Sequence, residues 1–297
     1  MAGDWRAGSA ASLTCGLGKQ SRDGRQEARD QVLSDETMLS SGSVLPVRSF
    51  LALGDSFTEG VGDPYPDGSV RGWADRFAEQ LALVSPGLRY ANLAIRGRVL
   101  RQVVDEQLPA ALAMAPDLVS IAAGGNDLLR PKADPDALAA TFEQAVAALR
   151  QAGGQVMLFT GFDPGGFPVI RLIRGKAAAF NAQLSEIARR HDCLHVDLWS
   201  MRVLADPREW CEDRLHLAPD GHRRVALRAC EVAGIPVAAD WREPLPPIPG
   251  GRPAWFAARQ QDIYWARTYA MPWLQRRLRG TSSGDMISPK RPDLAPL

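Results

Sequence analysis

Five residues, spread over most of the chain, could together catalyse acyl transfer. Ser56 lies in the stretch SFLALGDSFTEGVG, and Gly97 lies in AIRGRV. Asn126 belongs to AAGGND, and Asp213 and His216 belong to EDRLHLAPDGH. A serine hydroxyl is a weak nucleophile and needs a base, and an imidazole can accept its proton near neutral pH. The sequence therefore predicts a serine nucleophile with a histidine base.

The remaining residue types fit the other requirements of acyl transfer. Asp213 can orient the His216 imidazole and stabilise its charged form. A tetrahedral intermediate needs hydrogen-bond donors for its oxyanion. We expect these from the backbone N–H groups of Ser56 and Gly97 and from the Asn126 amide. Glycine at position 97 would let the backbone approach a substrate closely.

The elements around these residues predict an α/β fold. Five short apolar segments alternate with segments of helical period, which indicates βαβ units and a parallel sheet covered on both faces. The predicted strands are VRSFLAL, RYANLA, DLVSIAA, QVMLFTG and CLHVDLW. The predicted helices are RGWADRFAEQLALV, LRQVVDEQLPAALAM, DPDALAATFEQAVAALRQAG, IRLIRGKAAAFNAQLSEIARRH and APDGHRRVALRACEVAG. The candidate residues then fall at or just beyond the strand carboxyl ends, where such sheets bind ligands.

With these motifs in this order, the chain resembles the GDSL, or SGNH, hydrolase family over roughly residues 47–235. The blocks are GDSFTEG, the glycine of NLAIRGRV, GGND and DRLH. The resemblance implies a three-layer α/β/α flavodoxin-like fold with a five-stranded parallel sheet in the order 2-1-3-4-5. It also implies esterase or lipase activity without a metal or other cofactor. Carried over, Ser56 is the nucleophile, Asp213 and His216 complete the triad, and Ser56, Gly97 and Asn126 form the oxyanion hole.

Structural interpretations of the same residues compete with these roles. Ser56 and Glu59 have the spacing of a helix capping box, but Asp55 can provide the cap instead, and Glu59 then serves as a first-turn carboxylate. Asn126 suits a turn, and its place at a strand end favours the functional role. Asp127 is expected to fix the loop or cap the next turn.

Three further histidines lie near His216 in the sequence. His222 is the rival base, but it falls within the pattern of the last helix, so His216 is favoured. His191 and His195 flank the last strand and are expected to be structural.

Other functional classes fit the sequence poorly. The formal net charge is only +1, so no basic field indicates a nucleic-acid partner. The glycine-rich stretch lacks the G-K-[S/T] ending of a phosphate loop. The four cysteines form no C-x-x-C pair, and a two-metal site needs histidines, of which there is none before His191. No run of 18 apolar residues is present, so no transmembrane segment is predicted.

The chain divides into four predicted regions: a disordered arm (1–46), the catalytic domain (47–237), a Pro-rich linker with an aromatic helical extension (238–279) and a disordered tail (280–297). Met38 is a second candidate start codon. Four of the eight tryptophans follow residue 240 and must be buried. We expect the extension to pack on the catalytic domain, while its basic end, Arg276, Arg277 and Arg279, also fits a membrane surface.

The prediction is a metal-independent hydrolase that cleaves carboxylic esters through an acyl-enzyme on Ser56. Lysophospholipase-like and acetyl-esterase activities both remain open, and the partner is a small-molecule ester. The alternative is a non-catalytic glycan- or lipid-binding module on the same fold. The cysteine pattern favours a reducing cytosol, so we expect a cytoplasmic protein.

Overall fold

The computed structural model describes residues 47–167, 170–247, 263–272 and 283–297. The predictions for the arm, and those for Arg276, Arg277, Arg279, Trp255 and Trp273, lie outside these residues. The strands are β1 (Ser49–Gly54), β2 (Arg89–Asn92), β3 (Leu118–Ala122), β4 (Gln155–Phe159), β5 (Leu194–Val196) and β6 (Arg291–Pro296).

Helices follow most of the strands. They are α1 (Ser56–Glu59), α2 (Gly72–Val84), α3 (Leu100–Gln102), α4 (Leu108–Met114), α5 (Gly125–Leu128), α6 (Pro135–Gln151), α7 (Arg174–Arg190) and α8 (Pro219–Val232). A π-helical turn, Val103–Gln107, joins α3 to α4, and a second, Ala266–Ala270, lies in the C-terminal segment. Short 3-10 turns cover Pro164–Gly166, Ile170–Ile173, Arg202–Ala205 and Pro207–Glu209.

Local sequence explains where these helices begin. The Asp134 side chain accepts hydrogen bonds from the backbone N–H groups of Asp136 and Ala137, and Pro135 occupies the first turn of α6. A capping carboxylate followed by proline satisfies or removes N–H groups that would have no partner within the helix. The Asp-Pro pair thus marks the predicted start of this helix.

The sheet has the order β5-β4-β3-β1-β2-β6. Strands β1 to β5 are parallel and give the predicted order 2-1-3-4-5, which is confirmed. The prediction of five strands needs a correction, because β6 pairs antiparallel with β2 at the edge. Within the residues that the structure describes, the sheet therefore has six strands.

The extra strand lies in the tail that we predicted to be disordered. This tail lacks the apolar alternation of a strand, and other contacts hold it in place. Lys290 forms an ion pair with Asp75 at 2.9 Å, and Arg89 donates to the backbone carbonyl of Leu294. Proline is tolerated on an edge strand because one side of the strand needs no partner.

Two apolar layers cover the sheet, as the alternation of side chains along β1 requires. Phe50 packs on one face with Trp73 and Phe77 of α2, and residues of α8 complete this layer. Leu51 packs on the other face with Phe142 of α6, together with residues of α7. These layers give the predicted three-layer α/β/α architecture and leave the carboxyl ends of the strands accessible.

Candidate functional site

Ser56 begins α1 directly beyond the carboxyl end of β1. The side chain of Gln107, from the π-helical turn, fixes this end by accepting from the Gly54 N–H and donating to the Gly54 carbonyl, both at 2.9 Å. Asp55 caps α1 by accepting from the N–H of Phe57 at 3.1 Å, as predicted. The cap leaves the Ser56 hydroxyl available, and its N–H lies in the first turn, where no intrahelical acceptor exists.

A tight loop before α8 holds Asp213 and His216 together. The Asp213 Oδ1 atom accepts from the backbone N–H groups of Leu215 and His216, both at 3.0 Å. Its Oδ2 atom lies 2.5 Å from the His216 Nδ1 atom. Burial opposes ionisation of Asp213, but the hydrogen bonds from His216 and the backbone outweigh it and lower the pKa of this carboxyl. An anionic Asp213 assigns the proton to Nδ1 and leaves Nε2 as the acceptor.

The loop after β2 carries Gly97 with a φ angle of 77°, a conformation that favours glycine. Buried carboxylates hold both sides of this loop. Glu59 accepts from the backbone N–H of Arg96 at 2.6 Å and from its guanidinium Nε at 2.9 Å. Asp127 accepts from the N–H of Leu100 at 2.8 Å. Asp127 was expected to fix its own loop or to cap the next turn, whereas this bond connects it to the end of the loop that carries Gly97.

Asn126 lies in α5, directly after β3, and its amide already has acceptors. Its Nδ2 atom donates to the Asp55 Oδ2 atom at 3.1 Å and to the Arg98 carbonyl at 3.0 Å. Asp55 is 8% exposed, and burial raises the pKa of its carboxyl from 3.8 to about 6. Asp55 therefore connects the end of β1, next to Ser56, to the segment that carries Asn126.

One cavity of about 540 Å³ brings the five predicted residues together: Ser56, Gly97, Asn126, Asp213 and His216 all line it. The remaining histidines have other surroundings. The His222 ring is buried and contacts the Trp73 N–H and the Val61 carbonyl, each at 3.1 Å. Burial lowers the pKa of His222 to about 4, so it stays neutral in the core.

His191 and His195, expected to be structural, bind neighbouring side chains. The His191 ring lies 3.0 Å from a carboxylate oxygen of Glu143, and the His195 ring lies 3.5 Å from the Ser185 hydroxyl.

The family model for the GDSL-like Lipase/Acylhydrolase family matches residues 52–224, more than half of the chain. The chain belongs to this family. The matched range contains all five of the predicted site residues. Membership identifies the protein as a hydrolase of ester bonds. No curated protein matches the chain in sequence.

Solved structures show the same fold. LAE5, an alpha/beta hydrolase from the metagenome of Lake Arreo in Spain, is 21% identical with a TM-score of 0.55, covering 63% of this chain and 95% of its own. Axe2, an acetylxylan esterase from Geobacillus stearothermophilus, is 21% identical with a TM-score of 0.52, covering 66% of this chain and 96% of its own. The shared fold thus covers almost all of both solved structures, while about a third of the present chain lies outside it.

Among the residues that the structure describes, no helix combines the length and apolar character needed to cross a membrane. Within the same residues, no three His, Cys, Asp or Glu side chains are grouped as metal ligands.

Sequence reasoning missed part of the cavity wall. Thr268, Tyr269, Pro272 and Ser283 line it from the C-terminal part of the chain. The hydroxyl and aromatic residues in this part of the sequence have no spacing that is typical of a functional site. Their high aromatic content indicated only that the segment packs against another surface. It also missed the bond between Asp55 and Asn126, because residues 71 positions apart in sequence give no pairing signal.

Proposed function

We propose that this family member cleaves carboxylic esters through an acyl-enzyme on Ser56. The observation that carries the proposal is the His216–Asp213 pair, which lines the same cavity as Ser56 with its Nδ1 atom bonded to the carboxylate. A base oriented in this way can accept the serine proton on its other nitrogen.

The reaction begins when the Ser56 Oγ atom attacks the ester carbonyl carbon and its proton passes to His216. The tetrahedral intermediate collapses, the carbon–oxygen bond to the alcohol breaks, and His216 gives its proton to the departing alkoxide. Water, deprotonated by His216, then attacks the acyl-enzyme, and Ser56 recovers its proton as the acid leaves. Asp213 stabilises the imidazolium that forms in each half of the cycle.

The oxyanion donors are the N–H groups of Ser56 and Gly97 and the Asn126 amide. An amide nitrogen has two hydrogens, and that of Asn126 already donates to Asp55 and Arg98. The oxyanion therefore replaces one of these acceptors. We assign the exchange to Asp55, because the Arg98 carbonyl belongs to the loop that carries Gly97 and must keep its position.

A fluorophosphonate probe with intact-mass readout tests the proposal. Wild-type protein should gain one adduct, and Ser56→Ala should gain none. Ser200→Ala, an exposed serine outside the cavity, is the matched control and should label like the wild type. Absence of an adduct on the wild type, or an adduct that persists in Ser56→Ala, contradicts the mechanism.

The second candidate, a non-catalytic binding module, differs in one result. It predicts no turnover of short or long p-nitrophenyl esters together with tight binding of a glycan or lipid. The complete set of candidate catalytic groups in one cavity favours the enzyme.

A cytoplasmic location stays a prediction from the sequence; Cys193, Cys211 and Cys230 are free thiols in the described residues.

A further inference from the structure

The cavity beside Ser56 is much larger than an acetyl group requires. Its volume of about 540 Å³ lies within the range of pockets that bind drug-sized ligands. An apolar cavity of ~150 Å³ is already enough for benzene. An acetyl ester with a small alcohol would leave most of this space without contacts.

Apolar side chains form much of the lining. They come from α5, from the loop after β4, from α7 and from the segment after β5, and include Leu128, Phe162, Ile173, Phe180, Leu204 and Trp210. The Phe162 and Trp210 rings pack with their centres 4.3 Å apart, so this part of the wall is closely packed. Apolar walls of this kind favour hydrocarbon over water.

The C-terminal segment 263–272 completes the cavity. Thr268, Tyr269 and Pro272 line it, although they are far from the sheet in sequence. The segment is bonded to the loop that carries Asp213 and His216. The Trp265 Nε1 atom donates to the Asp213 carbonyl at 2.8 Å, and the Tyr269 hydroxyl donates to the Glu212 carboxylate at 2.9 Å.

A third contact fixes the same segment. The guanidinium of Arg214 lies 5.4 Å from the centre of the Trp265 ring, a cation–π distance. Trp265 itself is buried. The family match ends at residue 224, so the segment is an addition to the shared catalytic domain that this chain places directly at its site.

We propose that residues 263–272 form a specificity-determining wall of the ester site, and that the site takes esters whose acyl group is a medium-length or longer apolar chain. The inference rests on the proposed ester hydrolysis at Ser56. It adds which esters react well and which part of the chain selects them. Each methylene that becomes buried in the transition state raises kcat/KM by about fourfold.

A series of p-nitrophenyl esters isolates the acyl chain, because the leaving group stays constant. Acetate, butyrate and octanoate are compared below their aggregation concentrations with the full-length protein. We expect kcat/KM to rise along the series, with octanoate about 100-fold above acetate, which corresponds to burial of about three to four of its six additional methylenes. A maximum at acetate, or a fall towards octanoate, overturns the inference.

Tyr269→Ala tests the wall, and Tyr264→Ala is the matched control. Tyr264 belongs to the same segment but is 63% exposed and does not line the cavity. Tyr269→Ala should lower the octanoate-to-acetate ratio of kcat/KM by about tenfold, the effect of exposing about two methylenes. Tyr264→Ala should keep the wild-type ratio. If Tyr269→Ala slows both esters equally, the tyrosine only supports the His216 loop and the inference fails.

Ser56→Ala separates this inference from the proposed function. Loss of both acetate and octanoate hydrolysis supports the function whatever the chain-length profile is. Hydrolysis that persists in Ser56→Ala contradicts the function itself. Serine-dependent hydrolysis with a preference for acetate contradicts only the specificity wall.

Discussion

Asp55 is a buried carboxyl group next to the candidate nucleophile, and Asp55→Asn should change how stability depends on pH. In the folded protein, burial raises the pKa of this carboxyl from 3.8 to about 6. Between these values the native state holds a proton that the unfolded state has released. Stability from this group is therefore complete below about pH 4 and is lost as the pH rises through about 6.

The expected magnitude follows from the two pKa values. A difference of about 2 pH units corresponds to ~3 kcal/mol of unfolding free energy. Asparagine cannot titrate, so the Asp55→Asn variant does not lose this unfolding free energy as the pH rises. Asp55 accepts from the N–H of Phe57 and from the Asn126 amide, and an asparagine side chain has one acceptor oxygen for these two donors, so one of them faces its NH2 group. That cost is nearly constant with pH, so the informative quantity is the change in the difference between variant and wild type.

Urea unfolding at a series of pH values from 4 to 8 measures this change. The unfolding free energy of Asp55→Asn minus that of the wild type should increase by ~3 kcal/mol between pH 4 and pH 7.5. Asp134→Asn makes the same substitution at another capping carboxylate, at an exposed helix start, and serves as the matched control because asparagine caps a helix about as well as aspartate. Parallel pH profiles for Asp55→Asn and wild type would refute the argument that burial holds a proton on Asp55.

Three further substitutions test other contacts. Asp213→Asn should lower kcat by about 10³–10⁴-fold in ester assays, because the His216 tautomer is no longer fixed. Asn126→Ala should lower kcat by about 10²–10³-fold, because one of the proposed oxyanion donors is lost. Lys290→Met should reduce the unfolding free energy by about 3 kcal/mol in urea titrations, because the buried Asp75 side chain loses its ion-pair partner at 2.9 Å.

For each of these substitutions, one experimental result would contradict the prediction. Wild-type kcat in Asp213→Asn would mean that the imidazole needs no partner. An Asn126→Ala enzyme with raised KM and unchanged kcat would assign the amide to substrate binding. For the ion pair, the double variant Asp75→Asn with Lys290→Met should recover stability relative to Lys290→Met, and no recovery would exclude the charge as the cause.

Much of the fold could be predicted because its signals are local. The apolar runs of β1 to β5 and the Asp134–Pro135 start of α6 mark their elements within a few residues of sequence. Strand β6 could not be predicted in this way. It is held by partners about 200 residues away, including Asp75 and Arg89.

The residues of the candidate site also differ in whether local sequence could predict them. The five lining residues were predictable because each follows a strand end or lies in a short loop with a recognisable motif. The contact of Asn126 with Asp55 was not, because it depends on how two loops meet. Tyr269 was missed for a similar reason, since only folding brings its segment to Glu212.

The C-terminal strand has a consequence for how molecules of this protein meet each other. Without β6, the outer edge of β2 would present unpaired N–H and carbonyl groups, a template on which another chain could add a strand. Strand β6 covers that edge, and its own Pro292 and Pro296 have no N–H to offer a neighbour. Strand β6 thus protects the edge of β2 from pairing with a second molecule of the protein.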